Sequence, residues 1–470
     1  MKKIVLGAIA ALVLAYPLLS WLMGFAVERR VNEPLEQMRT TTPYVHVVRN
    51  TFRRGWFSSE QDLTLEMFGN LPVAAPAPPA APAPPAAPVV PAAPVVAGLF
   101  PFQLTLHSVI RHGPVCGWAC IGVAHTDTHL VVGGGVQEFL ESVFGSAEPL
   151  HLESRLGFFG GGSVTISSPP VQDAVIKDGA HFSWGGLSLK SFFTAGYGSY
   201  ALSGSVPRAA YAGADGKRIE VGNLALDGHS HRVLRTLYAG DSSLTVEHIG
   251  FSSPPPAAGN VSVDDVRVST LSSAGGGYMN FVSKTSTGAV VTAPLTLTGM
   301  HFDVSLQHLE MNSLEAMGAA MRAINQGSVL APQERTAKMI EAIKQPGISF
   351  LSHQPELGID LVSVATPGGE VRVSGVVRLQ GVVPEDFAEG TDPKSLIQKL
   401  NADLDCAIDD GFLRSLPASG AQIAAQLKAL ADQGLFSHEK GRFQTKLAFH
   451  QGVTTFNGKA FPRAPPAPRQ

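Results

Sequence analysis

The stretch Glu356–Leu379, ELGIDLVSVATPGGEVRVSGVVRL, decides the fold class. Val371 and Val373 alternate with Arg372 and Ser374, the period of a strand with one apolar face. Two such segments, Ile359–Ala365 and Val371–Leu379, flank Thr366-Pro367-Gly368-Gly369, a turn that joins them as a hairpin. The plan recurs weakly in Ile219–His231 and Val261–Lys284, too irregularly for a solenoid.

Working outward, Pro101 to Leu309 reads almost wholly as strand. Phe102–Leu106, Ser163–Ile166, Ser243–Val246 and Phe302–Leu306 all alternate apolar with polar residues. Gly160-Gly161-Gly162, Ser168-Pro169-Pro170 and Gly275-Gly276-Gly277 punctuate them. One helix, Gln137–Phe144, is stopped by Gly145. Helices gather later. Asn312 or Ser313 is the expected cap of LEAMGAAMRAI, and Gln333–Lys344 follows. Asp392-Pro393 opens KSLIQKLNADL, and Ala421–Asp432 ends before Gly434. The expected fold is mainly β with some α (α+β): a large twisted antiparallel sheet with helices toward the C-terminal half.

The amino-terminal end has another character. Met1-Lys2-Lys3 precedes an uncharged run, Ile4–Val27, closed by Glu28-Arg29-Arg30. At about 1.5 Å per residue the run reaches roughly 36 Å, enough to cross a bilayer core and longer than the roughly 7–15 residues of a cleavable signal's apolar core. Residues 1–30 are therefore read as a signal-anchor helix, with Trp21 near its outer end. Residues 31–470 would form an exported domain, periplasmic on the inner membrane of a Gram-negative cell. In it, Tyr44–Val48 and Leu63–Met67 form a hairpin around Arg54-Gly55. The Pro/Ala-rich tract at 71–98 can neither pair in a sheet nor bury much surface, and reads as an inserted extended loop.

Composition narrows the function. Net charge is −3 with 16% charged residues, so nucleic-acid binding has no electrostatic footprint. Of three cysteines, Cys116 and Cys120 are close enough for a small disulfide loop if Gly117 supplies a turn, with two buried thiols as the alternative. Their C-x-x-x-C spacing is not that of a thiol oxidoreductase.

The ordered motifs Arg53-Arg54-Gly55-Trp56-Phe57-Ser58-Ser59, His112-Gly113-Pro114, Gly157-Phe158-Phe159-Gly160-Gly161-Gly162 and Trp184-Gly185-Gly186-Leu187 are similar to those of the YdgA-like family of bacterial membrane-anchored proteins. Leu237–Leu244 and Phe456-Asn457-Gly458-Lys459 also fit, so the resemblance covers nearly the whole chain. The Pro/Ala tract and the Cys116/Cys120 pair are departures from it. The resemblance implies an exported β-rich domain on an inner-membrane anchor and supplies no catalytic residues. A more distant resemblance, in the C-terminal third, is to AsmA-type envelope proteins, and implies a long sheet with an apolar concave face.

Candidate chemistry is sparse. His125, Asp127 and His129 share a strand face, but successive side chains there stand roughly 7 Å apart, too far for one metal ion. His229 and His231 form a smaller set of the same kind. Trp184-Gly185-Gly186 could line a pocket, with core packing as its ordinary role. Asp241-Ser242-Ser243 reads as a turn, as does Gly160–Ser163, and Asp409-Asp410 as a turn or helix cap rather than a catalytic pair. No nucleophile elbow or phosphate loop occurs in the sequence. The expected function is non-enzymatic, without cofactor or metal: binding of lipid or another hydrophobic ligand in the cell envelope. The alternative is a scaffold that docks envelope proteins through sheet edges or the Pro/Ala loop.

Overall fold

The computed structural model describes residues 16–29, 31–32, 35, 45–67, 102–117, 120–132, 135–146, 149–176, 179–254, 259–292, 295–325, 332–387, 394–417 and 419–460. The Pro/Ala tract and residues 4–15 of the amino-terminal run lie outside them. The chain divides into two compact units, the first within Met1–Pro169 and the second within Pro170–Ile324 and Leu330–Gln470.

In the first unit, helix α1 (16–29) precedes β1 (Val45–Arg54), β2 (Ser58–Met67), β3 (Phe102–His112) and β4 (Ala124–Val132). Helix α2 (Gly135–Phe144), β5 (His151–Leu156) and β6 (Gly162–Ser168) complete it. The six strands form an antiparallel meander in chain order. Leu63 and Leu65 turn inward and pack with Leu35, Leu104 and Leu106. Cys116 and Cys120 form a disulfide across a turn in which Gly117 takes φ +56°, a conformation that suits glycine.

Helix α1 lies on this sheet. Val27 is 2% exposed and packs with Ile110, Val123 and Ala124. Ser20 and Gly24 are buried on the same stripe. The described part of the run expected to lie in lipid thus buries one face against protein. The cause is the Ser20, Gly24, Val27 spacing, which gives the helix a small-residue face that a sheet can approach. Among the described residues, no helix is long and apolar enough to cross a membrane.

The second unit contains β7 (Val171–Val175), β8 (His181–Trp184), β9 (Leu187–Phe193), β10 (Ser199–Ala212), β11 (Arg218–Arg232), β12 (Tyr238–Ser252), β13 (Val261–Gly275), β14 (Tyr278–Thr287), β15 (Val290–Thr292), β16 (Leu295–Leu297) and β17 (Gly299–Glu310). Helices α3 (Met311–Asn325) and α4 (Pro332–Ser352) follow, then β18 (Glu356–Thr366), β19 (Gly369–Leu379), α5 (Lys394–Lys399), β20 (Leu400–Asp409), α6 (Asp410–Ser415) and α7 (Gly420–Asp432). The chain ends with β21 (Ser437–Glu439), β22 (Arg442–His450), β23 (Val453–Phe456) and β24 (Lys459–Ala460). Every pairing in the ladder is antiparallel, from β10–β11–β12–β13–β14 through β17–β18–β19–β20 to β22–β23. The ladder is open: among the described residues β7 pairs only with β8 and β24 only with β23.

Register gives the sheet of this second unit two unlike faces. Directly opposed residues share a face. One cross-strand row reads Leu226, Leu244, Val268, Thr285, Phe302, Val362, Val373, Cys406, Thr445. A second reads Met300, Val364, Val371, Ile408, Phe443. The opposite face carries Asp227, Ser243, Ser269 and Lys284 in one such row.

Three local expectations change. Leu400–Leu404, expected as helix, is the start of β20, because pairing with both β19 and β22 outweighs a helical pattern. Asp241-Ser242-Ser243, expected as a turn, lies inside β12, where Ser242 Oγ and Thr270 Oγ1 are 2.7 Å apart. The cap of α3 is Glu310, which accepts hydrogen bonds from the backbone N–H groups of Asn312 (3.0 Å) and Ser313 (2.6 Å). Asn312 and Ser313 themselves sit in the first turn.

Candidate functional site

Helices α6 and α7 of the second unit, with His438 of β21 and Phe443 of β22, line a cleft of about 690 Å³. Helices α6 and α7 cover the row Val364, Val371, Ile408, Phe443 with Phe412, Leu413 and Leu427. Beyond them the face is bare: Phe302 is 55% exposed, and Met300, Leu306 and Leu357 are exposed as well. Phe443 belongs both to the covered row and to the cleft wall.

Two close approaches fix the helices. A Cβ on Gly420 would stand 1.9 Å from the Leu413 carbonyl oxygen, so the first turn of α7 meets α6 only without a side chain. A Cβ on Gly411 would stand 1.7 Å from the Gly368 carbonyl oxygen, which seats α6 on the turn between β18 and β19.

Polar groups gather at one side of the cleft. Asp409, at the N-cap position of α6, receives Arg442 Nε at 2.5 Å and the Glu370 backbone N–H at 3.0 Å. The Arg442 guanidinium holds its carboxyl below the usual range. Asp410 enters the cleft and lies 3.0 Å from His438 Nε2, while the His438 ring stacks on Phe443. Arg414 and Lys428 also line the cleft, exposed, and neither has an ion-pair partner among the described residues. Leu413, Leu416, Ala424 and Phe443 form the apolar wall. Such a cleft matches a ligand with an apolar body and an anionic head.

The residues singled out from sequence fall elsewhere, apart from Asp409 and Asp410. His125 lies between Asp127 (3.3 Å) and Glu153 (3.5 Å), whose carboxylates pair with Arg111 and Arg155. Burial pushes the His125 imidazole below its ordinary value against the pull of both carboxylates. It is an ion-pair network on a strand face. His229 is exposed, 3.7 Å from Asp227 and 3.8 Å from Asp241. Among the described residues no group of three His, Cys, Asp or Glu could hold a metal ion. Trp184 is half-buried and stacks with Phe182. Cys406 faces the apolar row, and burial pushes its thiol up.

Arg414, Lys428, His438 and Phe443 were not legible as a site. They spread over two helices and two strands with no fixed spacing, and only α6–α7 packing unites them. No curated protein and no solved structure matches the chain. Nothing in the comparisons supports the AsmA resemblance. A family model described as a bacterial protein of unknown function (DUF945) matches residues 1–464, and the chain belongs to that family.

Proposed function

We propose that this chain is a non-enzymatic protein of the bacterial cell envelope that binds an anionic amphiphile, such as a fatty acid or lysophospholipid, in the α6–α7 cleft. The observation that carries the reading is the pairing of an apolar wall with two cations, Arg414 and Lys428, that have no ion-pair partner among the described residues, while Asp410 in the same cleft is held by His438. In this reading the uncharged run that begins at Ile4 holds the chain at the inner membrane, with the bulk in the periplasm, close to the lipid it handles. No nucleic acid, cofactor or metal takes part.

The test is a titration of the full chain with oleate and with a neutral monoglyceride. Oleate should bind saturably, and the Arg414→Glu/Lys428→Glu double variant should weaken it roughly tenfold or more, since hydrogen bonds to charged groups contribute about 1.5–3 kcal/mol each. Monoglyceride binding should change little. Equal oleate affinity in both proteins would sink the reading.

A further inference from the structure

Helix α1 has a second face, and it is exposed. Leu18, Leu22 and Phe25 follow one stripe opposite the Ser20, Gly24, Val27 stripe that packs on the sheet, and all three are exposed. The tip of the β1–β2 hairpin joins them with Trp56 at 61% and Phe57 at 50% exposure. These are not stray side chains. Trp21 lies 6.2 Å from Trp56, Tyr16 stacks on Phe57 at 5.8 Å, and Phe25 carries the Arg54 guanidinium 3.5 Å from its ring centre. Arg54 is in turn tied to Glu28 at 2.8 Å. The patch is therefore a fixed aromatic and aliphatic surface.

We propose that this patch seats the first unit on the surface of a bilayer containing anionic lipid. Three observations choose that occupant. The uncharged run from Ile4 to Ala15 joins α1 at Tyr16, the residue stacked on Phe57, so the segment most suited to lipid leaves the unit at the patch. Tryptophan and phenylalanine beside arginine are the side chains that settle in the headgroup zone. Arg29, on the same stripe of α1, is exposed without an ion-pair partner among the described residues, and would meet anionic headgroups. A helix apolar on both sides, with protein against one, fits a second apolar medium against the other.

The inference rests on the envelope reading for the presence of a membrane, but not on the cleft. Its test uses the full chain in vesicles of phosphatidylcholine and phosphatidylglycerol with brominated acyl chains. A variant keeping only Trp56 (Trp21→Phe, Trp118→Phe, Trp184→Phe) should co-float with the vesicles and lose roughly half or more of its emission, as interfacial tryptophans do. A variant keeping only Trp184, in the second unit, should keep its emission. Trp56→Ser in the otherwise native chain gives the same information by difference if the triple variant folds poorly. Co-flotation with Trp56 no more quenched than Trp184 would overturn the seating and leave the anchor standing. A chain that does not float contradicts both. Neither result bears on oleate binding by the cleft.

Discussion

Glu310 is buried, yet its carboxyl is held down to about 2 from an ordinary 4.5. Burial alone would raise it, but the hydrogen bonds from Ser313 and Asn312 outweigh burial and cap α3. Because the folded value is the lower one, its stabilisation is complete above the unfolded value. It is lost as pH falls from about 4.5 through about 2. Glu310→Gln should cost about 2 kcal/mol at neutral pH, and much less at pH 3. Denaturant unfolding of both proteins at the two pH values checks this, and a constant difference would remove the capping role. Such a cap was hidden in the sequence, where Asn312 and Ser313 are the commoner cap residues and glutamate is not. Asp409-Asp410, read as a turn or helix cap, does mark the start of α6, but the Asp409 side chain caps nothing there and holds Arg442 and the Glu370 N–H instead.

At the scale of elements, most strands were legible because one wet face imposes period two, as in β12, β18 and β19. β20 was not: KSLIQKLNADL carries a helical pattern, and only its partners β19 and β22 decide against it. That one face of α1 packs on a sheet was hidden for a related reason. Apolar residues look alike whether lipid or a sheet covers them, and what distinguishes α1 is the glycine. A Cβ on Gly24 would stand 2.8 Å from Cε1 of His112, a ring that is fully buried and cannot move aside. Gly24→Leu should therefore lift α1 and forfeit the burial of Val27, about 1.5–2 kcal/mol. Hydrogen exchange should quicken in β1–β3 and stay unchanged in β10–β13. Unchanged protection in β1–β3 would mean that α1 does not help hold that sheet. The same contact argues for keeping residues 16–29 in any protein prepared for study.

At the scale of the whole molecule, the sequence announced an apolar sheet face but not what completes it. Alternation implies that one face is apolar. It does not reveal that α6 and α7 cover only one end, nor that Arg414 and Lys428 come to rest beside Phe443. The central claim is that this end of the second unit holds one anionic amphiphile. The most direct test is native mass spectrometry of the full chain purified from its own membranes in mild detergent. The account predicts one added mass, released on denaturation as an anionic lipid, and lost from both Arg414→Glu/Lys428→Glu and Ala425→Trp, which obstructs the cleft. A bare mass for the native chain, or equal lipid retention in both variants, would contradict it.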